Sequence, residues 1–375
     1  MKTAGIVLGL MLFLLPMAGI ADATEPLYAA QVSWLPCKTE AELSQEFQRM
    51  REQGFDTLVV RVFHNRGDRF YPFIQPGADA GVYFKTREAP VVADILTPLI
   101  PLARAAGLRV YAWANTLSTP LTGSRDLHGR RYELAQGSVT ATEKLDPFHP
   151  EVRNRLRALF EDLARYDLDG ILLQDDLVLR HTEGFSAAGL SAYLNHSGQL
   201  PDPKDFYRNL RRDAEGRVRV GAYSAAFRLW ARWKGRTLLN LATSLREAVR
   251  QINPDLKLVI NLPYEVLSNP EGALAWFSLD FAEVRKCDFD YLGLMLYHRQ
   301  MARELGVSID EAMRLAGRLA AEGAGLLGRP ERLLVKLQAV DFENLQPIVS
   351  KERDEVSGKL GRQPFSKAWF PYVRP

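Results

Sequence analysis

The stretch Asp169-Gly170-Ile171-Leu172-Leu173-Gln174-Asp175-Asp176 runs an apolar segment straight into two adjacent carboxyl groups. Burying charge without a partner is costly, so a pair of acids at the end of a buried strand needs water, a cation or a chemical role. Adjacent carboxylates repel, which raises one of the two pKa values and keeps a proton available near neutral pH. That is the requirement for a general acid facing a glycosidic oxygen. The plainer reading is that one aspartate caps the following turn. Asp169, at the other end of the run, is expected to be structural. Asp175 and Asp176 are the expected catalytic pair.

Other apolar runs also end in polar and aromatic residues. Arg61, Phe63, His64 and Asn65 close one run, and Trp113, Asn115 and Thr116 another. Asn261, Tyr264 and Glu265 follow a third, Tyr297 and His298 a fourth, and Gln338 and Asp341 a fifth. Aromatic faces beside amides and acids suit a sugar, whose ring faces stack while its hydroxyls hydrogen-bond. Taken singly, each residue reads as core packing or a helix cap; their shared position at strand ends selects His64, Trp113, Asn115, Asn261, Glu265, Tyr297, Gln338 and Asp341 as expected substrate-binding residues. The six histidines, at 64, 128, 149, 181, 196 and 298, show no metal-ligand spacing. No metal and no cofactor are expected.

The elements that must position these residues alternate along the chain. Apolar, β-rich runs lie at residues 30–35, 57–63, 109–114, 170–173, 256–262, 291–297 and 333–340. Most are continuous rather than alternating, as strands buried on both faces of a parallel sheet are. Helical stretches are expected at 40–53, 90–106, 151–166, 222–252, 272–286 and 308–322, the first opened by a capping box of Thr39 and Glu42. The expected fold is therefore α/β, a (β/α)8 TIM-type barrel with its chemistry at the carboxyl ends of the strands. The eighth strand is the open question. After Val340 only Trp369-Phe370 stands out, so an irregular terminal segment closes the barrel or the barrel stays incomplete.

Two patterns are set aside. Gly323-Ala324-Gly325-Leu326-Leu327-Gly328 spells a dinucleotide fingerprint, but it follows a helix and precedes a strand, the reverse of what that motif requires, and reads as a loop. The basic run from Arg208 to Arg219, continued by Arg228, Arg232, Lys234 and Arg236, reads as a solvated insertion and the exposed face of a long helix.

Composition agrees with a soluble globular protein, and length with one domain or a tight two-domain pair. Of 375 residues 47% are hydrophobic and 25% charged, which excludes disordered, collagen-like and multi-span membrane chains. Forty-eight Lys and Arg against 45 Asp and Glu leave a formal charge of +3, too balanced for a nucleic-acid binder. Lys2, the apolar run 6–20 and Ala21-Asp22-Ala23 read as a cleavable signal peptide over residues 1–23. The remaining 24–375 are expected to form the barrel domain in the periplasm or outside the cell, with no transmembrane span. Cys37 and Cys287 are either a disulfide or two free thiols.

Leu145-Asp146-Pro147-Phe148, Glu161-Asp162-Leu163-Ala164 and the strand ending in Asp175-Asp176 resemble the C-terminal, glycoside-hydrolase-like domain of PgaB proteins, which serve poly-β-1,6-N-acetylglucosamine export. Similar stretches are Val110-Tyr111-Ala112-Trp113, Trp230-Ala231-Arg232-Trp233-Lys234, Leu337-Gln338-Ala339 and residues 365–371, in order along nearly the whole chain. The resemblance implies endo-hydrolysis of partly deacetylated poly-N-acetylglucosamine in biofilm matrix production, with polysaccharide as substrate and the outer-membrane export machinery as macromolecular partner. In that family a histidine precedes the paired aspartates; here Gln174 takes its place. The family's metal-dependent deacetylase domain has no counterpart in this sequence, so de-N-acetylation is not expected.

From the paired strand-end acids together with the resemblance, Asp176 is expected to donate a proton while Asp175 orients a nucleophile or stabilises positive charge on the sugar, the reverse assignment staying open. Water or a substrate acetamido group attacks, and Glu265 and Asp341 are candidates for a separate base. Two alternatives stand beside it: a non-catalytic polysaccharide-binding module that guides export, and a hydrolase of a different glycan.

Overall fold

The computed structural model describes residues 25–123 and 125–374; the expected signal peptide lies outside them. Eight parallel strands form a closed barrel: β1 (Tyr28–Val32), β2 (Thr57–Arg61), β3 (Arg109–Ala114), β4 (Gly170–Leu173), β5 (Lys257–Pro263), β6 (Tyr291–Met295), β7 (Leu333–Gln338) and β8 (Ser366–Phe370). Each pairs with its neighbours in chain order, and β8 returns to β1. The helices around it are α1 (Glu40–Glu52), α2 (Leu96–Ala105), α3 (Pro150–Leu163), α4 (Ala187–Ser197), α5 (Ala225–Ile252), α6 (Pro270–Phe277), α7 (His298–Leu305), α8 (Ile309–Leu327) and α9 (Ser350–Lys359). Among the described residues no helix is long and apolar enough to cross a membrane.

The barrel is complete, so the open question at the eighth strand is answered by closure. Gln338 pairs with Phe370 on one side of β8, and Ala29 pairs with Ala368 on the other. The strand escaped notice because it is short and begins Ser366-Lys367. Ser366 is nonetheless buried, its hydroxyl donating to the Glu331 carbonyl at 2.7 Å and accepting from the Leu27 N–H at 3.0 Å. Two bonds offset the cost of burying that hydroxyl.

The interior of the barrel is packed with side chains, as such barrels are. Ala29, Val59, Tyr111, Leu172, Val259, Tyr291, Leu334 and Ala368 form it, with Trp113, Phe63 and Phe370 above. Large and small residues alternate around it: a Cβ on Gly170 of β4 would stand 2.2 Å from the ring of Tyr111, its register partner on β3. A second, larger core lies between the barrel wall and the helices.

Several expected helices differ in extent. Thr39 does cap α1, accepting from the Glu42 N–H at 3.2 Å, but Glu42 reaches back to the N–H of Lys38 rather than closing the box on Thr39. The expected helix at 90–106 begins only at Leu96, because backbone bonds from Val82 to Pro90 and from Val92 to Val82 tie its first part to the loop after β2. The stretch 272–286 is broken by Ser278 in the left-handed region (φ 55°), whose hydroxyl donates to the Leu179 carbonyl in the loop after β4. The glycine-rich stretch 323–328 is not a loop. It forms the last turns of α8, closed by Gly328 at φ 66°. The basic run makes two short antiparallel hairpins and then the start of α5. Cys37 and Cys287 are both free thiols.

Candidate active site at the strand ends

The two aspartates at the end of β4 have opposite surroundings. Asp176 is 8% exposed and turns toward the loop leaving β3. Its Oδ1 accepts from the Thr116 N–H at 3.0 Å and the Thr116 hydroxyl at 2.7 Å; its Oδ2 accepts from the Thr116 and Ser118 N–H groups at 2.9 and 2.6 Å. Burial pushes its pKa above the ordinary value, while the Thr116 and Ser118 donors pull it back. Asp175 is exposed. It lies within electrostatic reach of the Tyr297 phenol and of Lys336. A one-residue step at a strand end thus sends one carboxylate into the scaffold and leaves the other to the mouth.

An aromatic wall stands beside Asp175. Trp113 meets Phe63 and Phe370 edge to face, with ring centroids 5.3 and 5.4 Å apart. Tyr297 continues the wall, 5.2 Å from Phe342 and 6.1 Å from Phe370. Burial, and then Asp175, hold the Tyr297 phenol well above its usual pKa, so it is protonated at neutral pH. Gln174 accepts from the indole N–H of Trp113 at 2.5 Å and so fixes the plane of that ring.

The remaining expected residues divide. His64 is buried, its ring stacked on Phe70 at 4.2 Å and its Nδ1 bonded to the Tyr83 hydroxyl at 2.7 Å; Nε2 has no partner, and burial lowers its pKa. Asn261 accepts from Lys336 at 3.2 Å while its amide N–H2 is left without a protein acceptor. Glu265 is half-buried just beyond β5, and burial raises its pKa. His64 and Asn261 each keep one buried polar atom without a protein partner and Glu265 stays half-buried, whereas the rings of Trp113 and Tyr297 are themselves buried.

Asn115, Gln338 and Asp341 are committed to the scaffold. Asn115 bonds within its own loop, to Ser118 and Thr119. Gln338 accepts from the N–H groups of Arg299 and Gln300 at the start of α7 and donates to the Val340 carbonyl at 2.8 Å. Asp341 is lowered in pKa by the Glu343 N–H and by Arg299, with which it pairs at 2.9 Å. Arg299 also holds Glu352, at 2.6 Å, and Glu352 in turn holds His298 at 2.9 Å. A carboxylate so stabilised as an anion makes a poor base.

Three residues of the mouth were not anticipated. Lys336 leaves a visible trace, a lysine inside the apolar run Leu333-Leu334-Val335-Lys336-Leu337. Phe370 was hidden with β8. Trp276, 44% exposed at the end of α6, lies 4.5 Å from His181 in the loop after β4, an assembly that sequence spacing does not disclose. Among the described residues no group of three or more His, Cys, Asp and Glu side chains gathers to hold a metal ion.

A family model described as hypothetical glycosyl hydrolase family 13 matches residues 35–363. The chain is 29% identical over 266 residues to the poly-β-1,6-N-acetyl-D-glucosamine N-deacetylase of Escherichia coli K12, a match covering 67% of this chain and 36% of that protein. It therefore spans little more than a third of that relative. Among solved structures, the PgaB (BpsB) glycoside hydrolase domain from Bordetella bronchiseptica superposes with a TM-score of 0.72 at 24% identity, covering 92% of this chain and 94% of that one. The catalytic domain of β-amylase from Paenibacillus polymyxa superposes with a TM-score of 0.60 at 11% identity over 92% of both chains. At those identities both likenesses speak for the fold alone.

Proposed function

The chain belongs to the hypothetical glycosyl hydrolase family 13, and from that premise we propose that it is an endo-acting hydrolase of partly deacetylated poly-β-1,6-N-acetylglucosamine. The observation that carries the reading is the division of labour at the end of β4: Asp175 is exposed beside an aromatic wall, whereas Asp176 spends both oxygens on Thr116 and Ser118. The roles expected from the sequence are therefore exchanged. Asp175 donates the proton to the leaving glycosidic oxygen, and Asp176 positions it by fixing the turn. Either water attacks the anomeric carbon and gives up its proton to Glu265, whose pKa burial raises, or the substrate's acetamido oxygen attacks with no proton to lose. Trp113, Tyr297 and Phe370 offer apolar surfaces to the sugar faces. Hydrolysis is assigned here rather than the de-N-acetylation that names the E. coli relative, and the protein is read as exported, acting in the periplasm or outside the cell beside the machinery that exports the polymer.

Incubating the protein with partly deacetylated poly-β-1,6-N-acetylglucosamine and sizing the products by mass spectrometry tests this. Shortened oligosaccharides from the wild type and none from Asp175→Asn are expected; unchanged cleavage by Asp175→Asn overturns the assignment. Gln174, standing where the PgaB pattern has histidine, favours a second reading as a non-catalytic polysaccharide-binding module. Retained polymer binding with no cleavage by the wild type selects it, and cleavage of another glycan alone selects a different substrate.

A further inference from the structure

Trp276 is the most open of the six tryptophans, 44% exposed at the end of α6, and the proposed cleavage leaves it unused. A lone exposed ring needs no explanation, but this one belongs to a cluster. His181 lies against it, with ring centroids 4.5 Å apart and planes inclined by 32°. Two tyrosines hold that histidine in place. The Tyr223 hydroxyl meets its Nδ1 at 2.9 Å, and the Tyr207 hydroxyl donates to its carbonyl at 2.9 Å. Both come from one hairpin between α4 and α5, where they are register partners. Burial keeps the His181 ring neutral at pH 7. Its Nε2 makes no hydrogen bond among the described residues and keeps access to solvent. Whichever of Tyr223 and Nδ1 holds the shared proton, Nε2 is left to donate or accept one bond. An open indole face with a free ring nitrogen nearby suits a sugar, whose apolar face stacks while its hydroxyls hydrogen-bond.

The cluster is tied to the segment that leaves the catalytic strand. Leu179, just beyond Asp175 and Asp176, donates its N–H to the Phe277 carbonyl at 3.3 Å, and Ser278 returns its hydroxyl to the Leu179 carbonyl at 2.9 Å. Arg180 donates to the Trp276 carbonyl at 3.3 Å. The buried Lys234 ammonium fastens the same loop through the carbonyls of Arg180 and Glu183, at 2.7 and 3.0 Å. Even along this backbone path Trp276 stands within about 25 Å of Asp175, the length of a few linked sugar rings.

We propose that Trp276 and His181 form a distal subsite for the polymer: a sugar unit remote from the bond being cut lies on the indole and shares one hydrogen bond with His181 Nε2. The proposal rests on the polysaccharide reading above. A chain already held at Asp175 reaches this subsite without a second encounter, so the added affinity goes to ligands long enough to span both places and to no others. The anchored loop presents the platform before the ligand arrives, which spares the cost of ordering it. Trp276 takes no part in the bond-breaking step.

The test is calorimetric binding to an Asp175→Asn host of partly deacetylated poly-β-1,6-N-acetylglucosamine and of its disaccharide, set beside cleavage kinetics in the otherwise unaltered chain. Trp276→Ala, a change at an exposed position, is expected to weaken polymer binding about tenfold and to leave disaccharide binding within about twofold. Trp276→Phe, which keeps a ring face, should recover most of the loss. His181→Phe, which keeps a ring against Trp276 but removes Nε2, should weaken polymer binding about threefold. In the kinetics Trp276→Ala should raise KM for the polymer about tenfold with kcat unchanged, as loss of uniform binding does. Polymer binding and KM unmoved by Trp276→Ala, or equal weakening for disaccharide and polymer, overturns the subsite while leaving the functional reading intact. A wild type that neither binds nor cleaves the polymer overturns both.

Discussion

Thr116 gives both its backbone N–H and its hydroxyl to Asp176, so the last acid of one strand holds the first turn after its neighbour. The bond joins residues 60 positions apart, and with the Ser118 N–H it leaves neither carboxylate oxygen free. A pair that looks symmetrical in sequence thereby has one carboxylate spent on the neighbouring loop and one left exposed.

Asp176→Asn replaces an acceptor by an N–H2 facing these donors. Loss of charge-assisted bonds to a buried carboxylate is expected to cost about 2–4 kcal/mol. Activity on the polymer should fall at least tenfold as Asp175 loses its setting. Thr116→Val, which removes only the hydroxyl, should cost about 1 kcal/mol. Urea unfolding of both variants, beside their rates, checks the order.

Gly170→Ala tests the barrel floor independently of the mouth. The added methyl would meet the Tyr111 ring at 2.2 Å, and the overpacked interior is expected to cost about 1–3 kcal/mol. Because the clash lies at the amino end of β4, the folded fraction should keep its rate. A lower midpoint in urea with an unchanged kcat is the expected pair of results.

Trp113 depends on Gln174 for the partner of its indole N–H. Gln174→Leu leaves that donor buried and unpaired, at about 1–3 kcal/mol. Gln174→His, which restores the residue of the PgaB pattern, keeps a ring nitrogen able to accept and should be milder. Unfolding curves followed by tryptophan fluorescence separate the two.

His181 links stability to pH. Burial, with Lys234 and Arg180 nearby, lowers its pKa to about 4 from the usual 6.5. The unfolded chain therefore binds a proton at this site before the folded chain does. Its contribution is complete above about pH 6.5 and lost as pH falls toward 4, up to about 3 kcal/mol in all. Unfolding free energies at pH 7 and pH 4.5 should differ less in His181→Gln than in the wild type.

Much of the architecture is legible because buried parallel strands demand continuous apolar runs. Residues 109–114 and 170–173 coincide with β3 and β4. Likewise Thr39 sits before a helix where its hydroxyl meets an orphan N–H. The strand Ser366–Phe370 was illegible because its polar head is satisfied by Glu331 and Leu27, contacts far away in the chain. The site divides along the same line. Residue type and strand-end position are local properties, and they pick out Asp175, Trp113 and Tyr297, which the fold gathers at one end of the barrel. Position also drew in Asn115, Gln338 and Asp341, whose bonds to loops and helix starts are decided by neighbours.

The sequence alone determined the barrel class and the strand that bears the acids, because periodicity and apolar continuity are written residue by residue. Tertiary structure decided which aspartate is exposed, how a lysine on β7 reaches across β6 to an amide on β5, and that the barrel closes. Those outcomes depend on side chains meeting across strands, where a missing Cβ at Gly293 or a donor on Thr116 sets what a distant residue can do.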